Sequence, residues 1–427
     1  MKIVMIAVDT LRGDHLGCCG YHRPTSPHVD AIAADGFVFT RCFAIGNCTH
    51  PGFSALVSGC YPETTGIVSH WTPVDLSEEI PTLAQTARAN GLLPLAVDNL
   101  CDRWEKHHRR YPWFRRAYEV YRFEQDALGH ATDNCDLVCD LIREHAGEDF
   151  FLFYHPWYPH EPYDPPADCM PFEWDKADAL AEVAARYDGE IVYADREVGR
   201  IAEALQSAGI YDDTLVIVTA DHGEIMGEDR CVLGHRFNAS HIDLGDECLN
   251  IPLVMRLPGV VPAGRSDALA QQPDLLPTVA DLAGWPLLRP VDGASLAPVM
   301  RGEAQAARES VHFMENTYQK QRGIRTRTHK LKRNFEPGDS VVRRHLYDLR
   351  ADPLEQFNIV DIEPGLADDL EARMEAWVAE RLAAAGRSED PLLARPITND
   401  LLRKPERFEY QRRLTHADIW RARGERA

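Results

Sequence analysis

Two buried-looking apolar runs in this sequence end in residue types that commonly ligate metal ions. Ile3–Val8 leads into Asp9-Thr10-Leu11-Arg12, and Leu215–Thr219 leads into Ala220-Asp221-His222-Gly223-Glu224. A carboxylate followed directly by an imidazole at the end of such a run is costly to bury unless something pairs with it. For either acid alone, an ion pair or a helix cap would suffice. A third stretch lies between them: Asn47-Cys48-Thr49-His50-Pro51-Gly52-Phe53-Ser54-Ala55-Leu56-Val57-Ser58-Gly59. Pro51 suits a first helical turn and Gly59 the position just past the end. Phe53, Leu56 and Val57, at i, i+3 and i+4, give the short helix a buried face. Thr49 then stands at the helix N-terminus, where free N–H groups and the helix dipole favour an alkoxide and a bound oxyanion. A plain Thr N-cap has the same local pattern. The three stretches together point to a metal-assisted hydroxyl nucleophile.

The elements that must position these residues read as an α/β fold. The runs Ile3–Val8, Leu92–Val97, Phe150–Tyr154, Leu215–Thr219 and Leu253–Arg256 alternate with helical patterns at Thr82–Ala89, Asn134–His145, Ala177–Ala208 and Asp274–Ala283. That alternation is the mark of a largely parallel sheet, whose functional groups gather beyond the carboxyl ends of the strands. Residues 1–305 form the expected catalytic domain. Short strands and an amphipathic helix near Leu366–Ala384 make a smaller α+β subdomain over 306–386. Residues 387–427 read as an arm, its Leu401, Phe408, Tyr410 and Trp420 lacking a core of their own. The surface that orders it is either its own chain or a second subunit; a neighbouring subunit, and with it a homo-oligomer through the arm, is the expected one.

Net charge narrows the partners. With 46 basic and 67 acidic residues the formal charge is −21, which argues against nucleic acid and anionic membranes. No run approaches the roughly 18–20 apolar residues of a membrane span. The 11 cysteines show no CxxC pairing, and the N-terminal run is too short for a secretory leader, so a reducing cytoplasm is expected.

Several further blocks carry a family resemblance. Asp14-His15-Leu16-Gly17-Cys18-Cys19-Gly20-Tyr21, Thr25-Ser26-Pro27-His28-Val29-Asp30, Gly36-Phe37-Val38-Phe39-Thr40, Pro159-His160-Glu161-Pro162-Tyr163 and Asp221-His222-Gly223-Glu224 follow in order. Asp274-Leu275-Leu276-Pro277-Thr278, Asp292-Gly293-Ala294-Ser295-Leu296 and Leu346-Tyr347-Asp348-Leu349 continue the series. Over about residues 1–360 the chain resembles the sulfatases of the alkaline phosphatase superfamily. The resemblance implies an alkaline-phosphatase-like, mostly parallel sheet flanked by helices. It departs at the nucleophile. Sulfatases carry Cys-x-Pro-x-Arg, the cysteine becoming formylglycine; counting from Pro51 puts Thr49 in that slot, Phe53 in the arginine slot, and leaves Cys48 one place out of register. Thr10 takes the place of the family's second strand-1 carboxylate. His241, with His235 as competitor, takes the place of its lysine, and Asp98-Asn99-Leu100 replaces a Lys-and-His motif.

On this resemblance Asp9, Asp221, His222 and the Thr49 oxygen would hold one divalent metal. The imidazole favours Mn²⁺ or Zn²⁺ over Ca²⁺. Two-metal relatives need an Asp-xxx-His pair on the long helix, where Asp195 is here followed by Gly199. Thr49 would attack, His160 or His241 would protonate the leaving group, and Thr10, Asn99 and His235 would contact a small anionic ester. A threonine adduct cannot leave as a formylglycine hydrate does, so the expected substrates are phosphate or phosphonate esters, as in phosphodiesterases and phosphonate monoester hydrolases of a non-formylglycine branch. The alternatives are an arylsulfatase-like sulfuric ester hydrolase acting through Thr49, and a binding protein whose site has decayed.

Overall fold

The computed structural model describes residues 1–70, 72, 74–98, 111–124, 134–161, 163–175, 179–226, 231–232, 235–236, 243–335 and 343–398. Its centre is a nine-stranded sheet built from β1 (Lys2–Val8), β2 (Phe37–Phe43), β3 (Leu93–Val97), β4 (Val120–Arg122), β5 (Phe150–Tyr154) and β6 (Thr214–Ala220). After a separate two-stranded pair, β7 (Cys231–Val232) and β8 (His235–Arg236), the sheet is completed by β9 (Asn250–Arg256), β10 (Gly264–Ser266) and β11 (Ala270–Gln271). Across it the order is β10-β2-β9-β6-β1-β5-β3-β4, with β11 also on β2. β1 pairs in parallel with β5 and β6, and β3 in parallel with β5 and β4. The mostly parallel sheet expected from the sequence is present. One strand departs from it: β9 runs antiparallel to both β6 and β2.

Ile3–Val8, Phe150–Phe153 and Leu215–Val218 are almost wholly buried. Strands covered on both faces need apolar residues at every position, which is why these runs do not alternate. Pro27–Ala34 and Cys135–Glu144 pack beside the long helix Ala179–Ser207, while Thr49–Ser58 packs with Leu83–Ala89 and Leu275–Ala283. Thr82 and Gln85 start one of these helices with a capping box, and Gly284, at φ 67°, ends another.

The C-terminal part forms a second, antiparallel sheet: β12 (Ser310–Glu315), β13 (Gln321–Thr326), β14 (His329–Asn334) and β15 (Arg344–Asp348). Helix Pro364–Ala384 lays Ala367, Leu370 and Met374 on Ile324, Leu331 and Leu346. For the first part of the arm past Gly386 the ordering surface is its own chain. Residues 387–398 lie on their own chain: Arg387 donates to the Thr64 carbonyl, Asp390 pairs with Arg322, and Leu392 is buried. Leu392 is an apolar side chain with a core to enter after all. Leu401, Phe408, Tyr410 and Trp420 lie outside the described residues.

Candidate active site

Four neighbouring strands, β6-β1-β5-β3, end on one edge of the sheet, and each is followed at once by a titratable residue: Asp221, Asp9, His155 and Asp98. All four side chains are buried. The sheet's hydrogen-bonding continues past the strand ends, with Asp9 N–H on the Pro156 carbonyl, His155 N–H on Val97 and Asp98 N–H on Arg122. The backbone therefore sets these side chains in a row.

Asp221 is divided between two tasks. Its Oδ1 accepts the N–H groups of Thr10 (3.1 Å) and His222 (2.8 Å). Its Oδ2 accepts no hydrogen bond and lies 3.4 Å from His222 Nε2. His222 Nδ1 donates to the Gly223 carbonyl at 2.8 Å, which leaves Nε2 as the lone-pair nitrogen on the cluster side. Ligand atoms of Asp9, Asp221 and His222 all lie within 4.8 Å of one another. Among the described residues neither Asp9 oxygen accepts a hydrogen bond.

Thr10 sits in the left-handed region at φ 55°, unusual for a β-branched residue. Asp221 on its N–H and the Tyr187 hydroxyl on its carbonyl, at 2.7 Å, hold it there. Among the described residues its buried Oγ1 has no hydrogen-bond partner. The bend turns the chain sharply after Asp9.

Thr49 opens the helix Thr49–Ser58, and Cys48 is the residue before it. Thr49 Oγ1 lies 3.5 Å from His222 Nε2. Cys48 Sγ faces away, 3.2 Å from Thr317 Oγ1 and 3.5 Å from Asn47 Oδ1; burial, then the Glu315 charge, push its thiol well above the usual range. Gly52 lets the helix approach, since a Cβ there would meet the Asp221 carbonyl at 2.5 Å. Phe53, in the arginine slot, is buried and meets Phe114, Phe153 and His155 edge-on.

His160 stands on the loop after β5, its Nδ1 donating to the Glu161 carbonyl at 2.8 Å and its ring 4.4 Å from Trp157. Asn99 and His241 lie outside the described residues, as does the side chain of His235. Asp195 caps the helix Pro27–Ala34, accepting the N–H groups of His28 (3.0 Å) and Val29 (2.8 Å).

The sequence reading missed His155. Asp98 Oδ1 meets its Nδ1 at 2.8 Å, and Asp9 Oδ2 lies 3.4 Å from its Nε2. Burial would lower this imidazole, but its contacts with Asp9 and Asp98 push it up to about 10. The signal was present: Phe150–Tyr154 is an apolar run ending in a metal-ligand residue type, as are the other two.

Electrostatics set the two acids apart. Burial would raise Asp9, but the neighbouring His155, His160 and His222 rings hold it below the usual carboxylate range. Asp221 is raised, by burial and then by Asp9. Two buried carboxylates with unsatisfied oxygens beside a lone-pair imidazole nitrogen form a donor set suited to a divalent cation.

Similarity to known proteins decides the family. The family described as Sulfatase matches residues 2–285. The chain belongs to the sulfatase family. A second match, to the N-sulphoglucosamine sulphohydrolase C-terminal family, covers residues 241–381. Human (Homo sapiens) arylsulfatase A is 25% identical across 92% of each chain. A Delta 4,5-hexuronate-2-O-sulfatase of Bacteroides thetaiotaomicron is 24% identical across 84% of each. Among solved structures, the phosphonate monoester hydrolase of Agrobacterium radiobacter superposes with a TM-score of 0.70 at 20% identity, covering 89% of this chain and 96% of that one.

These findings correct the expectation of phosphate or phosphonate esters as substrates. The sequence relatives that span most of the chain are sulfatases, whereas the phosphonate hydrolase shares the fold at 20% identity. The expectation had rested on how a threonine adduct departs, a kinetic argument about one residue set against a likeness spread along the whole chain. Like others of its family, this sulfatase-family chain has the residues to hold a divalent metal.

Proposed function

We propose that the chain is a sulfuric ester hydrolase that uses Thr49 as its nucleophile and a divalent cation, Mn²⁺ or Zn²⁺, held by Asp9, Asp221 and His222. One observation carries this reading: the Thr49 hydroxyl faces the carboxylate–imidazole cluster while the Cys48 thiol is turned to Thr317. The bound cation would lower the hydroxyl pKa and draw charge from the sulfuryl oxygens.

Thr49 Oγ attacks sulfur, its proton passing to solvent, and the bond from sulfur to the ester oxygen breaks. The departing oxygen takes a proton from His160. As an imidazolium, His160 keeps its Nδ1 proton on the Glu161 carbonyl and gives up the Nε2 proton, which solvent then restores. Water then attacks the sulfur of the sulfothreonine; the bond to Thr49 Oγ breaks, the hydroxyl regains a proton, and sulfate leaves. Thr10 Oγ1, buried and without a hydrogen-bond partner among the described residues, would donate to a sulfuryl oxygen.

The test is turnover of matched aryl sulfate, phosphate and phosphonate esters by metal-loaded protein, with peptide mass spectrometry across residues 47–59. Sulfate should be the best substrate, Cys48 should keep its sulfur, and Thr49→Ala should lose several orders of magnitude in rate. Cys48→Ala should cost mainly packing, about 1–2 kcal/mol. Formylglycine at Cys48, or a phosphorus ester as the best substrate, would overturn the reading.

A further inference from the structure

We propose that His155, anchored by Asp98, is a positioning residue that aims the Asp9 carboxylate at the cation site. The inference rests on the cation site proposed above and concerns the part of the row that faces away from it. Asp98 and His155 stand opposite one another on β3 and β5, whose register pairs Val97 with Tyr154, one residue earlier on each strand. The Asp98 carboxylate holds His155 Nδ1 at 2.8 Å, and the Tyr121 hydroxyl donates to the second Asp98 oxygen. Phe53 closes one side of the imidazole, edge-on with ring centroids 4.7 Å apart. Held at Nδ1 and packed against that ring, the imidazole has one direction left for Nε2, towards Asp9 Oδ2 at 3.4 Å.

Asp9 needs such a guide. Among the described residues neither of its oxygens accepts a hydrogen bond, and its N–H is spent on the Pro156 carbonyl. A carboxylate hinged only at its Cβ would spread over several rotamers and present an ill-defined ligand. With Nε2 beside Oδ2, one orientation is favoured and the carboxylate is directed at Asp221 and His222. The chain Tyr121–Asp98–His155–Asp9 thus spans four adjacent strands, β4-β3-β5-β1, and ends at the donor set. Partners that orient a metal ligand in this way typically change metal affinity by 10–100-fold when removed.

The experiment is calorimetric titration of the metal-free full chain with Mn²⁺, and in parallel with Zn²⁺, for wild type, Asp98→Asn, His155→Gln and Tyr121→Phe. Each metal-free protein is also unfolded thermally. Asp98→Asn and His155→Gln should weaken binding by about 10–100-fold. Tyr121→Phe, farther along the chain, should weaken it by less, with an unfolding midpoint close to wild type. Because Tyr121 is half-buried, its variant still decides the matter where a core substitution does not fold. A fall in midpoint with wild-type metal affinity in the folded protein would make the row merely structural and overturn the proposal. Wild type that takes up neither ion would overturn the cation site itself, and this inference with it.

Discussion

Buried charge is handled in opposite ways in the two sheets. In the antiparallel sheet Lys330 is fully buried, yet its ammonium meets Asp246 at 2.8 Å and Glu355 at 2.7 Å. Lys332 meets Asp243 at 2.8 Å, Arg325 meets Asp246 at 2.9 Å, and Glu355 also accepts the Asp246 N–H. Each of these cations has its counter-ion, and the pairs fasten the β13–β14 hairpin to residues 243–246. At the carboxyl edge of the parallel sheet the balance is left open: among the described residues Asp9 accepts no hydrogen bond, Asp221 Oδ2 accepts none, and Asp9 and Asp221 repel. A satisfied buried pair is architecture. Two buried carboxylates with unsatisfied oxygens are retained at a cost that a bound cation would offset.

The comparison is broken most forcefully by removing one charge from each sheet. Asp221→Asn should weaken Mn²⁺ binding by more than about 100-fold and reduce sulfate ester turnover by several orders of magnitude. The metal-free protein should nevertheless unfold no sooner than wild type, because an acid held above its usual pKa by burial and by Asp9 has been neutralised. Calorimetry and a melting curve on one preparation check both halves; a large drop in metal-free stability would place Asp221 with the architectural charges. Lys330→Met should behave in reverse. Glu355 and Asp246 would lose a buried cation, at a cost of about 3–5 kcal/mol in urea unfolding, while the folded protein keeps its metal affinity. A Lys330→Met protein of wild-type stability would erase the distinction drawn here.

Much of this was legible in the sequence where a role depends on local pattern. The apolar runs marked β1, β3, β5, β6 and β9, and a helix pattern beginning at Thr49 came from Pro51, Gly59 and the Phe53–Leu56–Val57 face. The pairing of Asp98 with His155 was not legible. These residues are 57 positions apart and become neighbours only because the sheet order runs β1-β5-β3 rather than in chain order. The direction of β9 was hidden for a similar reason, since an apolar run fixes burial and not polarity. Thr10 was noted as a changed carboxylate; its left-handed backbone comes from the Tyr187 and Asp221 contacts, which no local pattern carries.

An unsatisfied atom alone does not make a site, and His312 on β12 tests that boundary. Its Nδ1 is buried without a hydrogen-bond partner, its ring lies flat on Trp377 at 3.9 Å, and the cations around it are Arg308, Arg322, Arg373 and Arg381. Burial first, and then those arginines, depress its pKa to about 3 from an ordinary 6.5. The folded protein therefore carries the ring neutral where the unfolded chain is protonated. Between pH 6.5 and 3 the unfolded state binds the extra proton, so stability present at neutral pH is lost as pH falls through that window. The slope for one group is at most about 1.4 kcal/mol per pH unit. His312→Phe keeps the stacking on Trp377 and removes the titration. From pH 7 to pH 5, urea unfolding should show wild type losing about 2 kcal/mol more than the variant, with Mn²⁺ affinity at pH 7 the same in both. Equal losses would mean that His312 is protonated in the folded state. Its orphan nitrogen would then belong with the charged, open groups of the parallel sheet's edge, and not with the neutral packing of the seam.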